Sequence, residues 1–247
     1  MQQLKQFADL QWILRERLNT SLAEIADFCK RWNIVELALF GSVLRDDFCL
    51  ESDVDVLVVY QPNTEQTLDD ITRAKTELET LFNREVDLTQ KRGLINPFSR
   101  REILQQHRVI YPPEKAEPIT ISIANKQMQD NVRNYAAIWD VVQAIQRIET
   151  FTQGLDEAAY LGNILVQQAV ERNLEIIGEA ARRRITEEFR NTHPEIDWRG
   201  VIGLRNVVAH QYEQINQEQI WQIITTILPN LQEQLQALLP PEDDADE

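Results

Sequence analysis

What this 247-residue chain has little of narrows the field first. It carries two cysteines, Cys29 and Cys49. That is too few for a disulfide framework or a thiolate zinc site, and it is the usage expected in a reducing compartment. No apolar run reaches the roughly 18 residues of a membrane-spanning helix. The opening stretch MQQLKQFADLQWILRERL lacks the uninterrupted apolar segment of a secretory leader. A soluble, cytoplasmic protein with no membrane partner is therefore expected. Positive charge is also short, with 25 Lys and Arg against 40 Asp and Glu and a net charge of −15. The deficit is spread evenly: residues 1–119 hold 15 bases and 20 acids, residues 120–236 hold 10 and 15, and the last eleven hold five acids and no base. Such a balance argues against broad nucleic-acid binding, and DNA is not an expected partner. It leaves room for a small local site built on a few arginines.

What is present suffices for two domains, since 43% of the residues are hydrophobic. The first half alternates helices and strands. Leu4, Phe7, Leu10, Leu14 and Leu18 form one stripe over residues 2–18, and Ser21 with Glu24 reads as a capping box for a second helix. Strands are expected at 34–40, 52–60, 84–89 and 109–111, with helices at 65–82 and 97–106. Pro112, Pro113 and Pro118 mark a linker. Beyond it the strand signal disappears. A long helix is expected over 122–151, with Met128, Val132, Tyr135, Ile138, Val142, Ile145 and Ile148 inward. A second is expected over 156–184, with Leu161, Leu165, Ala169, Leu174, Ile177 and Ala181 inward. Helices at 198–209 and 217–239 follow, the last carrying Pro229, which should kink or split it. The expected division is an α+β domain over 1–111, a linker over 112–121, an all-α bundle over 122–239 and a disordered acidic tail over 240–247. The five tryptophans do not cluster and are read as core. His107 and His193 have no partner at useful spacing and are read as surface residues.

The stretch GSVLRDDFCLESDVDVLVVY, residues 41–60, carries the chemistry of the first half. A strand ends in the turn Gly41-Ser42, ten residues intervene, and Asp53 and Asp55 then lead into the apolar segment Val56 to Val59. Alternate residues of a strand share a face, so both aspartates point the same way while Val54 and Val56 face the core. Paired carboxylates repel unless a cation sits between them, and Mg²⁺ takes such oxygens together with phosphate. Asp87 on the next strand is the natural third acid, with Glu85 the weaker candidate. Gly41 lets the backbone approach a phosphate and Ser42 adds a hydroxyl. Taken singly, each pair also fits a plain turn at a strand start. Together these residues resemble the minimal nucleotidyltransferases of the DNA polymerase β superfamily, over about residues 20–111. The resemblance implies ATP as substrate, Mg²⁺ on Asp53, Asp55 and Asp87, and in-line displacement at the α-phosphate. Members of that family often have Gly after the loop arginine. Here Asp46 and Asp47 follow Arg45, placing two acids where phosphates should approach.

The second constellation is RNVVAHQY, residues 205–212. On one ideal helix Arg205 and His210 lie roughly 140° apart, so a shared site needs the helix to end near Ala209 or a second copy to complete it. His can move the proton of a ribose 2′-hydroxyl, and Arg can stabilise the charged phosphorane. An Arg and a His at a helix end also serve as cap and dipole partners, and a Tyr there as packing. The segment, with AVERNLEIIGEAARR and PEIDWRGVIGLRNVVAHQY around it, resembles the HEPN superfamily and its HepT branch. That implies a metal-independent RNase with Arg205 and His210 catalytic, RNA as substrate, and a homodimer or higher oligomer through the helical domain. It also implies that Tyr212 accepts AMP from a partner nucleotidyltransferase of the MntA type, which here shares the chain. The combined expectation is a single-chain toxin–antitoxin protein. The alternatives are a transferase acting on an external hydroxyl, as in aminoglycoside nucleotidyltransferases, and an inactive pair whose helical half only dimerises.

Overall fold

The computed structural model describes residues 10–62, 64, 66–116, 126–209 and 215–240, and for 206–209 the backbone alone. Residues 1–9 of the first expected helix, much of the linker, and the tail beyond 240 lie outside the described residues. The chain divides into two compact units between residues 125 and 126.

In the first unit a helical segment closes with a π-turn at Ile13–Arg17, and Leu10, Ile13 and Leu14 are buried. Helix α1 spans Leu22–Arg31 and starts on the expected capping box. Ser21 Oγ accepts from the Glu24 N–H at 3.4 Å, and Glu24 Oε2 accepts from the Ser21 N–H at 2.9 Å. Strand β1, Ile34–Phe40, runs into a 3₁₀ turn at Gly41–Leu44. Strand β2 is Val54–Tyr60, helix α2 Leu68–Phe82, strand β3 Val86–Gln90, helix α3 Pro97–Gln106 and strand β4 Arg108–Tyr111. A second capping box, Thr67 with Asp70, starts α2, and Asn96 caps α3.

The sheet order is β3-β2-β1-β4. The pairs β1–β2 and β1–β4 are antiparallel, while β2–β3 is parallel and joined by α2 as crossover. Leu37, Leu39, Val54, Val56 and Val58 pack on α1 and α2 through Ile25, Phe28, Ala74 and Leu78. The opposite face carries Ala38, Phe40, Leu57 and Val109, covered by Leu94, Ile103 and Leu104. By the alternation of β2, Asp55 shares this second face with Leu57, as the sequence pattern required. Ridding the first face of polar atoms and loading the second with acids is what fixes the site's orientation.

The second unit is helical throughout its described residues. Helices α4 (Lys126–Thr152), α6 (Ile164–Arg183), α8 (Trp198–Ala209) and α10 (Leu228–Leu238) supply the core, and α5 (Glu157–Leu161), α7 (Glu187–Thr192) and α9 (Gln217–Gln222) are short. Ile138, Val142, Ile145, Ile148, Leu174, Ile177 and Ala181 are buried together as expected. Three expectations need correction. The helix foreseen over 156–184 breaks at Gly162, and Asn163 caps the restart by accepting from the Val166 N–H at 3.3 Å. Leu161 (39% exposed), at the end of α5, faces outward instead of inward, and so does Leu165 (75%), which lies about 180° from Leu174 on the same helix. Met128 is 58% exposed, in the first turn of α4. The tryptophans are not all core either. Trp198 is buried, Trp12 is 46% exposed, and Trp32, Trp139 and Trp221 are half-buried. Indole N–H groups need acceptors, which Trp32 finds in Glu77 and Trp198 in the His193 carbonyl. Pro229 acts as expected: a π-turn at Ile223–Ile227 precedes it, and α10 then starts with the proline in its first turn.

Candidate active sites

The first site is built where β1 ends and β2 begins. Phe40 pairs with Asp55 across the antiparallel ladder, and Asp55 pairs with Asp87 across the parallel one. Neighbouring strands lie about 4.8 Å apart, so two carboxylates in register on one face are close neighbours. Asp53, just before β2, completes the acidic group. Asp53 and Asp87 are exposed, and Asp55 is half-buried. Burial pushes the Asp55 carboxyl up to about 7, and the charges of Asp53 and Asp87 push it the same way; Arg45 and the Ser42 N–H pull against them.

Gly41 is held at φ +71°, and a Cβ there would lie 2.0 Å from Asp55 Oδ2. Only glycine tolerates both the dihedral and the contact. Ser42 donates its backbone N–H to Asp55, while its Oγ is buried with no hydrogen-bond partner among the described residues. A buried hydroxyl left unpaired costs free energy, so its position favours an incoming acceptor such as a phosphate oxygen. Among the described residues no group of three or more His, Cys, Asp and Glu side chains is arranged to hold a metal ion. Asp53, Asp55 and Asp87 nonetheless carry the oxygen donors Mg²⁺ prefers, and their mutual repulsion is what a cation would relieve. Glu85 is exposed, precedes β3, and gives its backbone carbonyl to the Val54 N–H at 2.9 Å.

The loop between the turn and the aspartates is held by arginines that the sequence pattern did not single out. Arg17 donates to the carbonyls of Val43 (2.8 Å) and Arg45 (2.6 Å), and Arg84 to those of Cys49 (3.0 Å) and Leu50 (2.9 Å). Both guanidinium groups lie against the Phe48 ring, at 5.1 and 4.7 Å from its centre. The lone aromatic of this loop is the one sequence signal that could have found this clasp. Asp47 is paired with Arg45 at 3.0 Å.

Of the second site, Arg205 lies within α8, while His210 and Tyr212 lie outside the described residues. Arg205 Nε stands 3.2 Å from Glu179 Oε2 of α6. That contact is not aligned as a hydrogen bond, since Glu179 Oε2 is buried and finds no such partner. The other Glu179 oxygen pairs with Arg183. Beneath them Gly178 brings the two helices together: a Cβ on it would fall 2.7 Å from both the backbone nitrogen and the Cβ of Arg205. Gly178 and Glu179 therefore place Arg205, and both escaped the sequence reading as part of a buried helix. Arg184 is engaged with Asp140, so the arginine run 182–184 is partly committed to ion pairs.

Residues 22–111 match the nucleotidyltransferase domain family, a span that holds Gly41, Ser42, Asp53, Asp55 and Asp87. Residues 141–238 match the ribonuclease HepT-like family and hold Arg205, His210 and Tyr212. The chain is 32% identical over 101 residues to a Methanocaldococcus jannaschii protein named "Putative RNase", covering 41% of this chain and 92% of that one. It is 29% identical over 73 residues to a second protein of that organism, named "Putative protein adenylyltransferase", covering 30% and 73%. A solved structure described as a "putative minimal nucleotidyltransferase" shares 34% identity, covering 35% of this chain and 85% of that one with a TM-score of 0.31.

Proposed function

The chain belongs to the HepT-like ribonuclease family through residues 141–238 and carries a nucleotidyltransferase domain at 22–111, and from that premise we propose that the first unit silences the second by transferring AMP to it. ATP binds at Gly41-Ser42, the Tyr212 hydroxyl attacks the α-phosphate, and pyrophosphate leaves. The observation that carries this reading is the Gly41 backbone seated against Asp55 with Ser42 Oγ buried and unpartnered beside it. Mg²⁺ on Asp53, Asp55 and Asp87 would neutralise their charge and that of the triphosphate. The chain's own part is to orient: the Ser42 hydroxyl fixes a phosphate, the Ser42 N–H holds Asp55 in place, and the clasp on Phe48 fixes the loop.

The second unit is an RNase that works without metal. Arg205 steadies the charge on the phosphorane, and His210 moves the 2′-hydroxyl proton. Two copies meeting through the helical unit bring these groups together. AMP on Tyr212 adds a negative phosphodiester near Arg205, which pairs with that arginine and keeps RNA out. The protein is then a toxin and its antitoxin in one polypeptide.

The test is direct. Protein purified unmodified is incubated with ATP and Mg²⁺, digested, and weighed. An AMP-sized increment on the Tyr212 peptide is expected, and its absence would refute the transfer. Expression of the Asp53→Asn, Asp55→Asn double variant should be toxic to the host, and adding His210→Ala should restore growth. Equal growth of the double variant and the unaltered protein would sink the RNase role.

A further inference from the structure

Arg45 follows directly on the Gly41–Leu44 turn, its N–H donating to the Ser42 carbonyl at 2.9 Å. Its backbone is pinned by Arg17, so only the side chain is free to move. That side chain is 16% exposed, and its fork takes the Asp47 carboxylate through two contacts, Nε to Oδ1 at 3.0 Å and Nη2 to Oδ2 at 3.3 Å. A two-pronged grip of this kind suits a carboxylate or a phosphate equally. Asp47 is the more exposed partner, at 43%, and can swing into water at little cost. The Arg45 charge reaches Asp55, which places the guanidinium near the acidic face, and the Arg45 backbone is bonded to Ser42.

We propose that Asp47 is a built-in stand-in for nucleotide phosphate. Its carboxylate holds the Arg45 fork while the site is free of nucleotide and surrenders the fork when the polyphosphate of ATP arrives. The exchange rests on the nucleotidyltransferase reading above and adds a specificity device to it. An anion must outbid a carboxylate tethered two residues away, which a triphosphate does better than a monophosphate. Asp47 thereby sets how much ATP the site requires.

The test measures binding of a non-hydrolysable ATP analogue with Mg²⁺ to the full chain by calorimetry. Asp47→Asn should tighten binding on the order of tenfold, the worth of one charge-assisted pair. Arg45→Gln should weaken binding, and Asp47→Asn added to it should bring no further gain. Asp46→Asn removes the same charge one residue earlier and should change affinity by less than about twofold. No gain from Asp47→Asn, an equal gain from Asp46→Asn, or a gain that survives in the Arg45→Gln background overturns the exchange. Intact nucleotide binding without AMP on Tyr212 would end the proposed function and leave this exchange standing. No nucleotide binding in any variant ends both.

Discussion

Asp55 sits at the meeting point of opposing demands. The ladder pairs it with Asp87, Gly41 crowds its oxygen, and burial holds its carboxyl up near 7 against an ordinary 3.8. A group whose folded value is raised in this way binds a proton more tightly when folded. Its cost to stability is full above pH 7 and is relieved as pH falls through 7 toward 3.8. In the presence of a chelator, Asp55→Asn should therefore stabilise the protein at pH 8, by on the order of 2 kcal/mol. The gain should shrink at pH 5.5, and paired thermal melts would check both values. The same substitution removes a carboxylate the proposed transfer needs, so AMP transfer should vanish where stability rises. Stability given up at one residue in this way is the usual cost of a working site.

At the scale of elements, the approach of α6 to α8 decides where Arg205 stands. Gly178→Val puts side-chain atoms where the Arg205 backbone already lies. It should cost about 1–3 kcal/mol by overpacking. RNA cleavage should fall with it, while nucleotide binding by the other unit stays unchanged, as a cleavage assay beside a calorimetric titration would show. Much at this scale was legible beforehand. The Ser21–Glu24 box, the helix expected over 65–82 between β2 and β3, the α3 helix at 97–106, and the split at Pro229 all follow from local chemistry. The break at Gly162 was not, because a glycine inside an apolar-periodic run costs only about 1 kcal/mol and reads as tolerated. Leu165 was misplaced for a simpler reason, since its spacing from Leu174 sets the two about 180° apart on α6. The arginine clasp on Phe48 was hidden for another reason: Arg17 and Arg84 are 67 positions apart, and no local pattern announces such a meeting. In the candidate sites the aspartates and Arg205 were legible as residue types at fixed spacing. Gly178 and Glu179, which position Arg205, carried no such mark.

For the whole molecule, a net charge of −15 sets the terms on which RNA can be met. In the helical unit Arg172, Arg183, Arg184 and Arg205 are paired with acids. On the proposed RNase reading, RNA is then held by few phosphate contacts. Cleavage by the Asp53→Asn, Asp55→Asn variant should weaken by less than about tenfold between 50 and 200 mM salt, where a protein with many phosphate contacts loses far more. A salt titration of the cleavage rate would decide it. The two units also share one polypeptide. Their stoichiometry is one to one at every expression level, and dilution as the host divides cannot separate them. A toxin–antitoxin pair made of two chains can be unbalanced by degrading one member. Under the proposed transfer, the balance here would shift only through chemistry: the ATP supply while the chain is new, or removal of AMP once attached.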